Sequence, residues 1–187
     1  VGAGTAYGEY KGKRYCILYK NISYLGIPHP IYKKRIQIPS SFVKKYNENL
    51  SKGITTFFIG VYKYKENEIF VNFDTEKYIK NKAHNSSAHV LTIDLARATT
   101  GGIFFKEDVR KNKIFCFNSS GIGAFFAMYL LKSKDLTPTM YKIFNNFFDD
   151  INHSWNGIDC YSEMMSENYH RSNQPEWPGS YLEYLFE

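Results

Sequence analysis

The chain has few features typical of secreted, metal-binding or membrane-spanning proteins. Its three cysteines, Cys16, Cys116 and Cys160, are far apart and form no CxxC motif or Cys/His cluster. This spacing predicts neither a zinc site nor a disulfide framework. No apolar run reaches the roughly 18 residues that a membrane-spanning helix needs, and no signal-peptide pattern opens the chain. We therefore expect a cytoplasmic protein without a membrane partner.

The carboxylate patterns of metal-dependent nucleases are also missing. Such enzymes hold Mg²⁺ with carboxylates and place a lysine beside them, in the short form Asp followed by Asp/Glu-x-Lys. Glu9 and Lys11 match only the second half, because no carboxylate precedes them, and Asp74, Glu76 and Lys77 have the wrong spacing. The sequence predicts that this chain binds no cofactor itself. A centre that continues beyond residue 187 stays open.

Positive charge, in contrast, is abundant and concentrated in one part of the chain. Residues 1–113 hold 20 Lys or Arg against 9 Asp or Glu, a formal excess of +11, whereas residues 114–187 hold 4 against 9, an excess of −5. Such a division indicates that the first part faces a polyanion and that the rest has another task. Aromatic residues, at 18%, either pack the core or line a groove for bases.

The pattern of apolar residues predicts an α+β fold with a β-rich first part. Short runs rich in β-branched and aromatic residues predict strands at residues 14–20, 54–62, 68–73, 88–93 and 113–117, and residues 54–73 read as a hairpin. Residues 1–7 read as a flexible leader. A B3-like pseudobarrel is one form that this module can take.

Helical signals are concentrated later in the chain. A short helix is predicted over residues 40–50 with Ser40 or Ser41 as N-cap, and apolar residues recur at helical spacing from Ile122 to Leu130. Thr137 and Pro138 open a further predicted helix to residue 151. We expect a basic module at residues 8–118, a helical part at 119–152, and a linker with the start of a further module at 153–187. The chain would then be a piece of a longer protein.

A first candidate binding segment combines a basic triplet with an edge strand. Lys33, Lys34 and Arg35 precede Gln37, and alternation places Ile36 and Ile38 on the core side. The cations can hold phosphates and Gln37 can reach a base edge. A solvated charged loop is the alternative interpretation.

A second candidate segment packs lysines and hydrogen-bonding groups between two predicted strands. Lysines attract phosphates without regard to sequence, whereas Asn, Ser and His can read base edges. An ordinary turn explains the same residue types, and the nearby Arg97 can either bind a ligand or pair with Asp94. The candidates here are Lys77, Lys80, Lys82, Asn85, Ser86, Ser87, His89 and Arg97.

Three phrases of the sequence resemble bacterial type II restriction endonucleases. These are residues 69–104 (IFVNFDTEKYIKNKAHNSSAHVLTIDLARATTGGIF), KKRIQIP upstream and PGSYLEYLF downstream, so that the resemblance covers roughly residues 9–187. The resemblance implies the DNA-recognition, N-terminal portion of an enzyme whose nuclease domain uses Mg²⁺. KKRIQIPSSF also resembles the opening of the B3-like readers found in some of these enzymes.

The leading hypothesis is therefore sequence-specific binding of duplex DNA, with a homodimer as one assembly that the sequence leaves open. Two alternatives remain. One is a complete small Mg²⁺-dependent nuclease with an unrecognised site, and the other is a module that binds RNA or a modified base through its tyrosines.

Overall fold

A computed structural model of the chain describes residues 2–24, 26, 29–80, 86–107, 111, 113–131, 160–161 and 163–165. The strands are β1 (Gly4–Tyr10), β2 (Lys13–Asn21), β3 (Ser23–Tyr24), β4 (Lys33–Ile38), β5 (Thr55–Tyr64), β6 (Asn67–Phe73), β7 (Ser86–Leu91), β8 (Ile103–Glu107) and β9 (Lys113–Phe117). The helices are α1 (Ser40–Ser51), α2 (Thr92–Gly101) and α3 (Ile122–Phe125), with π-helical turns at Glu76–Lys80 and Phe126–Leu130 and a 3₁₀ turn at Ser119–Gly121. None of the described helices has the length and apolarity to cross a bilayer.

Six of the strands form one large sheet in the order β1-β2-β5-β6-β9-β8. All neighbours are antiparallel except β2 and β5, which run parallel. Because β2 and β5 are parallel, the chain must cross over between them, and it does so through β3, β4 and α1. This crossover supplies two of the three strands of the second sheet.

Side chains of the large sheet alternate between two apolar cores. Phe58, Val71 and Phe73 point to the side that packs against α1, α2 and the smaller sheet. Phe57 and Phe115 point to the opposite side, which α3 and the turn after it cover. Strands buried on both faces read as continuous apolar runs, as in residues 57–62. The α+β class predicted from the sequence is confirmed.

The smaller sheet has three strands in the order β3-β4-β7, both pairs antiparallel. Ile36 and Ile38 of β4 and Ala88 and Val90 of β7 are buried in the same core as the large sheet. Only the other face of this small sheet is therefore directed outward. Within the described part of the chain neither sheet closes into a barrel.

A buried carboxylate fixes the junction between β7 and α2. Asp94 accepts a hydrogen bond from the backbone N–H of Leu91 at 3.1 Å and forms an ion pair with Lys106 of β8 at 2.5 Å. Burial raises the pKa of the Asp94 carboxyl, while Lys106 and the Leu91 N–H oppose that rise. The junction is also tied to the chain before β4, because the backbone N–H and the hydroxyl of Thr92 both donate to the carbonyl of Tyr32.

Several predicted elements are confirmed. The predicted strands at residues 14–20, 68–73 and 113–117 match β2, β6 and β9, and residues 54–73 form the β5–β6 hairpin. The helix predicted over residues 40–50 is α1, and helical structure follows Ile122 as expected. The predicted helix at 137–151 and most of the segment after it lie outside the described residues.

Four predictions about local structure were wrong. Residues 1–7 are not a flexible leader, since β1 begins at Gly4 and pairs with β2. The N-cap position of α1 is Pro39 and not a serine. β4 is the central strand of its sheet and not an edge. The strand predicted over residues 88–93 ends at Leu91, where Asp94 caps the start of α2.

Candidate nucleic-acid interface

The small sheet brings the two candidate segments of the sequence together. β4 carries the first segment and β7 carries part of the second, and the two strands are hydrogen-bonded neighbours. Their register places Arg35 opposite His89 and Gln37 opposite Ser87. Directly opposed residues of antiparallel strands have Cβ atoms about 5 Å apart, so each pair can contact one ligand group.

The four side chains lie on the outward side of the sheet. Their neighbours in sequence, Ile36 and Ala88, form the next opposed pair and are buried, so the alternation of the strand directs Arg35, Gln37 and His89 the other way. We call Arg35, Gln37, Ser87 and His89 the outer face. Gln37 is exposed, and the other three are half-buried.

One residue that the sequence did not suggest extends the outer face. Ser23 of β3 is exposed and stands opposite Arg35, which makes a row of Ser23, Arg35 and His89 across three strands. β3 contains only two residues, too short for the alternation that predicts a strand. Lys33, half-buried, stands opposite Leu91 at the end of the sheet.

Lys34 was predicted as a phosphate contact, and the structure places it elsewhere. Its side chain is 1% exposed, and its ammonium lies 4.7 Å from the centroid of the Tyr62 ring. The physical reason is the period of two in a strand, because Lys34 has the same parity as Ile36 and so points into the core. An ammonium in that position has no route to a DNA phosphate.

Arg97 also lies away from the outer face. It is on α2, half-buried, with its guanidinium 5.0 Å from the centroid of the Phe104 ring. Its Nε is buried without a hydrogen-bond partner among the described residues. The ion-pair partner of Asp94 in this region is Lys106, so the Asp94–Arg97 pair considered from the sequence is not the one that forms.

The remaining candidates follow β6 in the sequence, and the last of them, Ser86, is the first residue of β7. Lys77 is exposed on the π-helical turn Glu76–Lys80, where its backbone N–H donates to the Asp74 carboxylate at 3.1 Å. Lys80 and Ser86 are described only by their backbones, at the two ends of the connection to β7. Lys82 and Asn85 lie outside the described residues.

The outer face supplies binding groups and no recognisable catalytic set. A guanidinium, an amide, a hydroxyl and an imidazole can all form hydrogen bonds with phosphates or base edges. In the described ranges no three His, Cys, Asp or Glu side chains are placed to hold a metal ion. Cys16, Cys116 and Cys160 are unbridged thiols, and burial raises the pKa of each, which favours the neutral thiol over the thiolate.

Comparison with known proteins gives one family. The profile of the family described as methylase-associated X1 matches residues 13–126, which include both sheets from β2 onward and the start of the helical part. No curated protein matches the chain, and no solved structure does. The match is not specific to the recognition portion of a type II restriction endonuclease, so that finer resemblance stays a prediction. The family profile matches more than half of the 187 residues of this chain, and the chain therefore belongs to the methylase-associated X1 family.

Proposed function

We propose that this chain binds duplex DNA in a sequence-specific manner and recognises the target of a restriction-modification system. The observation that carries the proposal is the register of β4 and β7. It aligns Arg35 with His89 and Gln37 with Ser87 on one outward surface, although the two strands are far apart in sequence. The family name supports a link to methylases, whose DNA target requires a reader.

The chemistry of the outer face suits the major groove. A two-stranded β-ribbon fits this groove, and there a glutamine such as Gln37 can bind adenine N6 and N7 while Arg35 holds a nearby phosphate. Arg35 and Gln37 are two residues apart on one strand, about 7 Å, or about two base-pair steps. The face can therefore contact a phosphate and a base edge at the same time.

The charge of the chain supplies the sequence-independent part of the binding. Residues 1–113 have a formal excess of +11, the half-buried Lys33 stands at the end of the small sheet, and Lys77 is exposed on the turn Glu76–Lys80 that precedes β7. If Lys33, Arg35 and Lys77 each neutralise one phosphate, log K falls against log salt with a slope of about −3. Further lysines of the second segment would make the slope steeper.

The test is fluorescence anisotropy of labelled DNA over a series of KCl concentrations. We expect binding of duplex DNA at low salt, a slope of about −3 or steeper, and preference for some sequences in a randomised duplex pool. Competition with methylated duplex and with single-stranded RNA separates this proposal from a reader of modified bases or RNA. Salt-independent binding, or tighter binding of RNA than of duplex, would contradict it.

The nuclease alternative has its own test. The 187-residue chain is incubated with plasmid and Mg²⁺, and the products are separated on a gel. We expect the plasmid to remain intact, because the proposal assigns this chain to recognition. Site-specific cleavage by the chain alone would replace the proposal with a complete nuclease.

A further inference from the structure

A cavity opens at one end of the large sheet, away from the outer face. It has a volume of about 420 Å³ and is bounded by the ends of β5, β6 and β9, the end of α1 and the turn at Phe126–Leu130. Among the described residues that line it, none comes from β3, β4 or β7. Its size lies in the range of small-molecule sites.

The floor of the cavity holds an unsatisfied polar atom. Asn72 of β6 lines the cavity and is 3% exposed, and its Oδ1 has no hydrogen-bond partner within the described part of the chain. Its neighbours on the adjacent strands are the apolar Ile59 and Phe115. Buried amide oxygens are nearly always bonded, so Asn72 Oδ1 is an acceptor at the cavity wall that a donor from water or from a ligand can satisfy.

The rim of the cavity is also rich in acceptors. The Asp74 carboxylate receives the Lys77 N–H through Oδ1, which leaves Oδ2 for another donor, and the exposed Glu76 lies beside it. Two carboxylates repel a phosphate placed inside the cavity. Lys113, exposed at the same rim, can instead meet a phosphate that stays outside.

We propose that this cavity binds a nucleobase that carries an exocyclic amino group, that is adenine, cytosine or guanine. The amino group donates to Asn72 Oδ1 or to the Asp74 carboxylate, and rings of Tyr46, Phe57 and Tyr129 in the wall suit a planar ligand. Thymine and uracil offer one ring N–H and no amino group, so they have fewer donors for the two acceptors Asn72 Oδ1 and Asp74. The choice of ligand class rests on the proposed function, since DNA is where this protein meets bases.

The cavity and the outer face are structurally connected. The π-helical turn Glu76–Lys80 begins at the cavity rim and packs against β7, which carries His89. A base extruded from a duplex on the outer face and a free nucleoside share the chemistry that the cavity recognises. The experiment therefore contains one arm for each source.

The first arm titrates the ¹⁵N-labelled 187-residue chain with adenosine, cytidine and guanosine, with uridine as the matched ligand without an amino group. The signal is the Asn72 side-chain amide in the NMR spectrum, assigned by its loss in Asn72→Leu. We expect at least one amino nucleoside to shift this signal and to bind about tenfold more tightly than uridine. Equal binding of uridine, or no shift at the solubility limit of all three, would overturn the proposal.

Two variants and a cation complete this arm. Asn72→Leu fills similar volume without the acceptor, and Asp74→Asn keeps an acceptor for the Lys77 N–H while removing the charge. For both variants we expect an unchanged circular dichroism spectrum. Affinity for the amino nucleoside is measured by calorimetry, and it should fall about tenfold in Asn72→Leu and less in Asp74→Asn. Spermidine tests whether the carboxylates of the cavity simply attract cations. Binding of spermidine with no binding of nucleosides would contradict the proposal that the cavity binds a base.

The second arm uses duplexes containing 2-aminopurine, whose fluorescence rises when the base leaves the stack. A rise that Asn72→Leu abolishes assigns the cavity to an extruded base, and nucleoside binding without a rise assigns it to free nucleosides. Duplex affinity is measured by anisotropy in the same samples, so failure of DNA binding is seen separately from failure of the cavity. A loss of nucleoside affinity in Arg35→Gln equal to that in Asn72→Leu would contradict a separate site.

Discussion

The buried carboxylate of Asp94 fixes the end of β7, and its removal is expected to destabilise the fold. Asp94 is 2% exposed and binds both the Leu91 N–H and the Lys106 ammonium. Asp94→Ala removes a charge-assisted hydrogen bond from a backbone donor, which costs about 1.5–3 kcal/mol. It also leaves Lys106 without its partner; because that side chain is 24% exposed, water compensates part of the loss.

The expected total is about 3 kcal/mol, at the low end of the range for breaking a buried ion pair. Asp94→Asn retains an acceptor for the Leu91 N–H and is expected to cost about half as much. The assay is equilibrium unfolding in urea, followed by circular dichroism at 222 nm. The midpoint gives the change in free energy of unfolding when the slope of the transition is unchanged.

A surface ion pair at the end of β8, the strand that carries Lys106, provides the control. Lys111 pairs with Glu107 at 3.1 Å, with the lysine side chain 83% exposed, and Lys111→Met is expected to cost less than about 1 kcal/mol. A double-mutant cycle of Asp94→Asn with Lys106→Met is expected to give a coupling of about 1 kcal/mol or more. A cost of Asp94→Ala no larger than that of Lys111→Met would show that the buried Asp94 carboxylate does not stabilise the end of β7.

Three further predictions concern other parts of the chain. The hydrogen bond from Lys65 lowers the pKa of Glu163, so the Glu163 carboxylate stabilises the fold above its unfolded-state pKa, and this stability is lost as pH falls through its folded-state pKa. In urea unfolding between pH 6 and pH 3, Glu163→Gln should therefore lose less stability on acidification than the unchanged chain. Phe125 is 2% exposed, and Phe125→Ala is expected to lower the free energy of unfolding by about 3–5 kcal/mol in the same assay. In DNA binding, Lys33→Met should reduce the salt slope by about 0.9 and Lys34→Met should leave it unchanged.

Local patterns in the sequence predict much of the fold. Runs of β-branched and aromatic residues predicted β2, β6 and β9, and the polar turn between two such runs predicted the β5–β6 hairpin. The same alternation that placed Ile36 and Ile38 inside also applies to Lys34. Lys34 was nevertheless predicted to face outward because a buried lysine is rare, and its burial depends on a partner such as the Tyr62 ring that the sequence does not reveal.

Other elements depend on contacts that no local pattern reveals. β1 contains glycines, which are poor strand formers, yet at Gly4 and Gly8 the rings of Tyr19 and Tyr15 fill the space that a side chain would take. The end of β7 at Leu91 depends on Asp94, whose charge is compensated by Lys106 of a later strand.

The outer face itself could be predicted only in part. The sequence supplied the residue types on β4 and β7, but not that these strands are neighbours or that Arg35 stands opposite His89. A long connection joins them rather than a hairpin, so no turn fixes their register in advance.

The most direct test of the account is a matched pair of arginine substitutions, Arg35→Gln on the outer face and Arg14→Gln on β2 of the large sheet. Each removes one positive charge, and Arg14 is exposed, with its guanidinium 3.4 Å from the carbonyl of Lys52. Binding of duplex DNA is measured for both over the same salt series. We expect Arg35→Gln to weaken binding about tenfold and to reduce the salt slope by about 0.9, whereas Arg14→Gln should change neither. Equal losses in the two variants, or a loss only in Arg14→Gln, would contradict the assignment of the outer face to DNA.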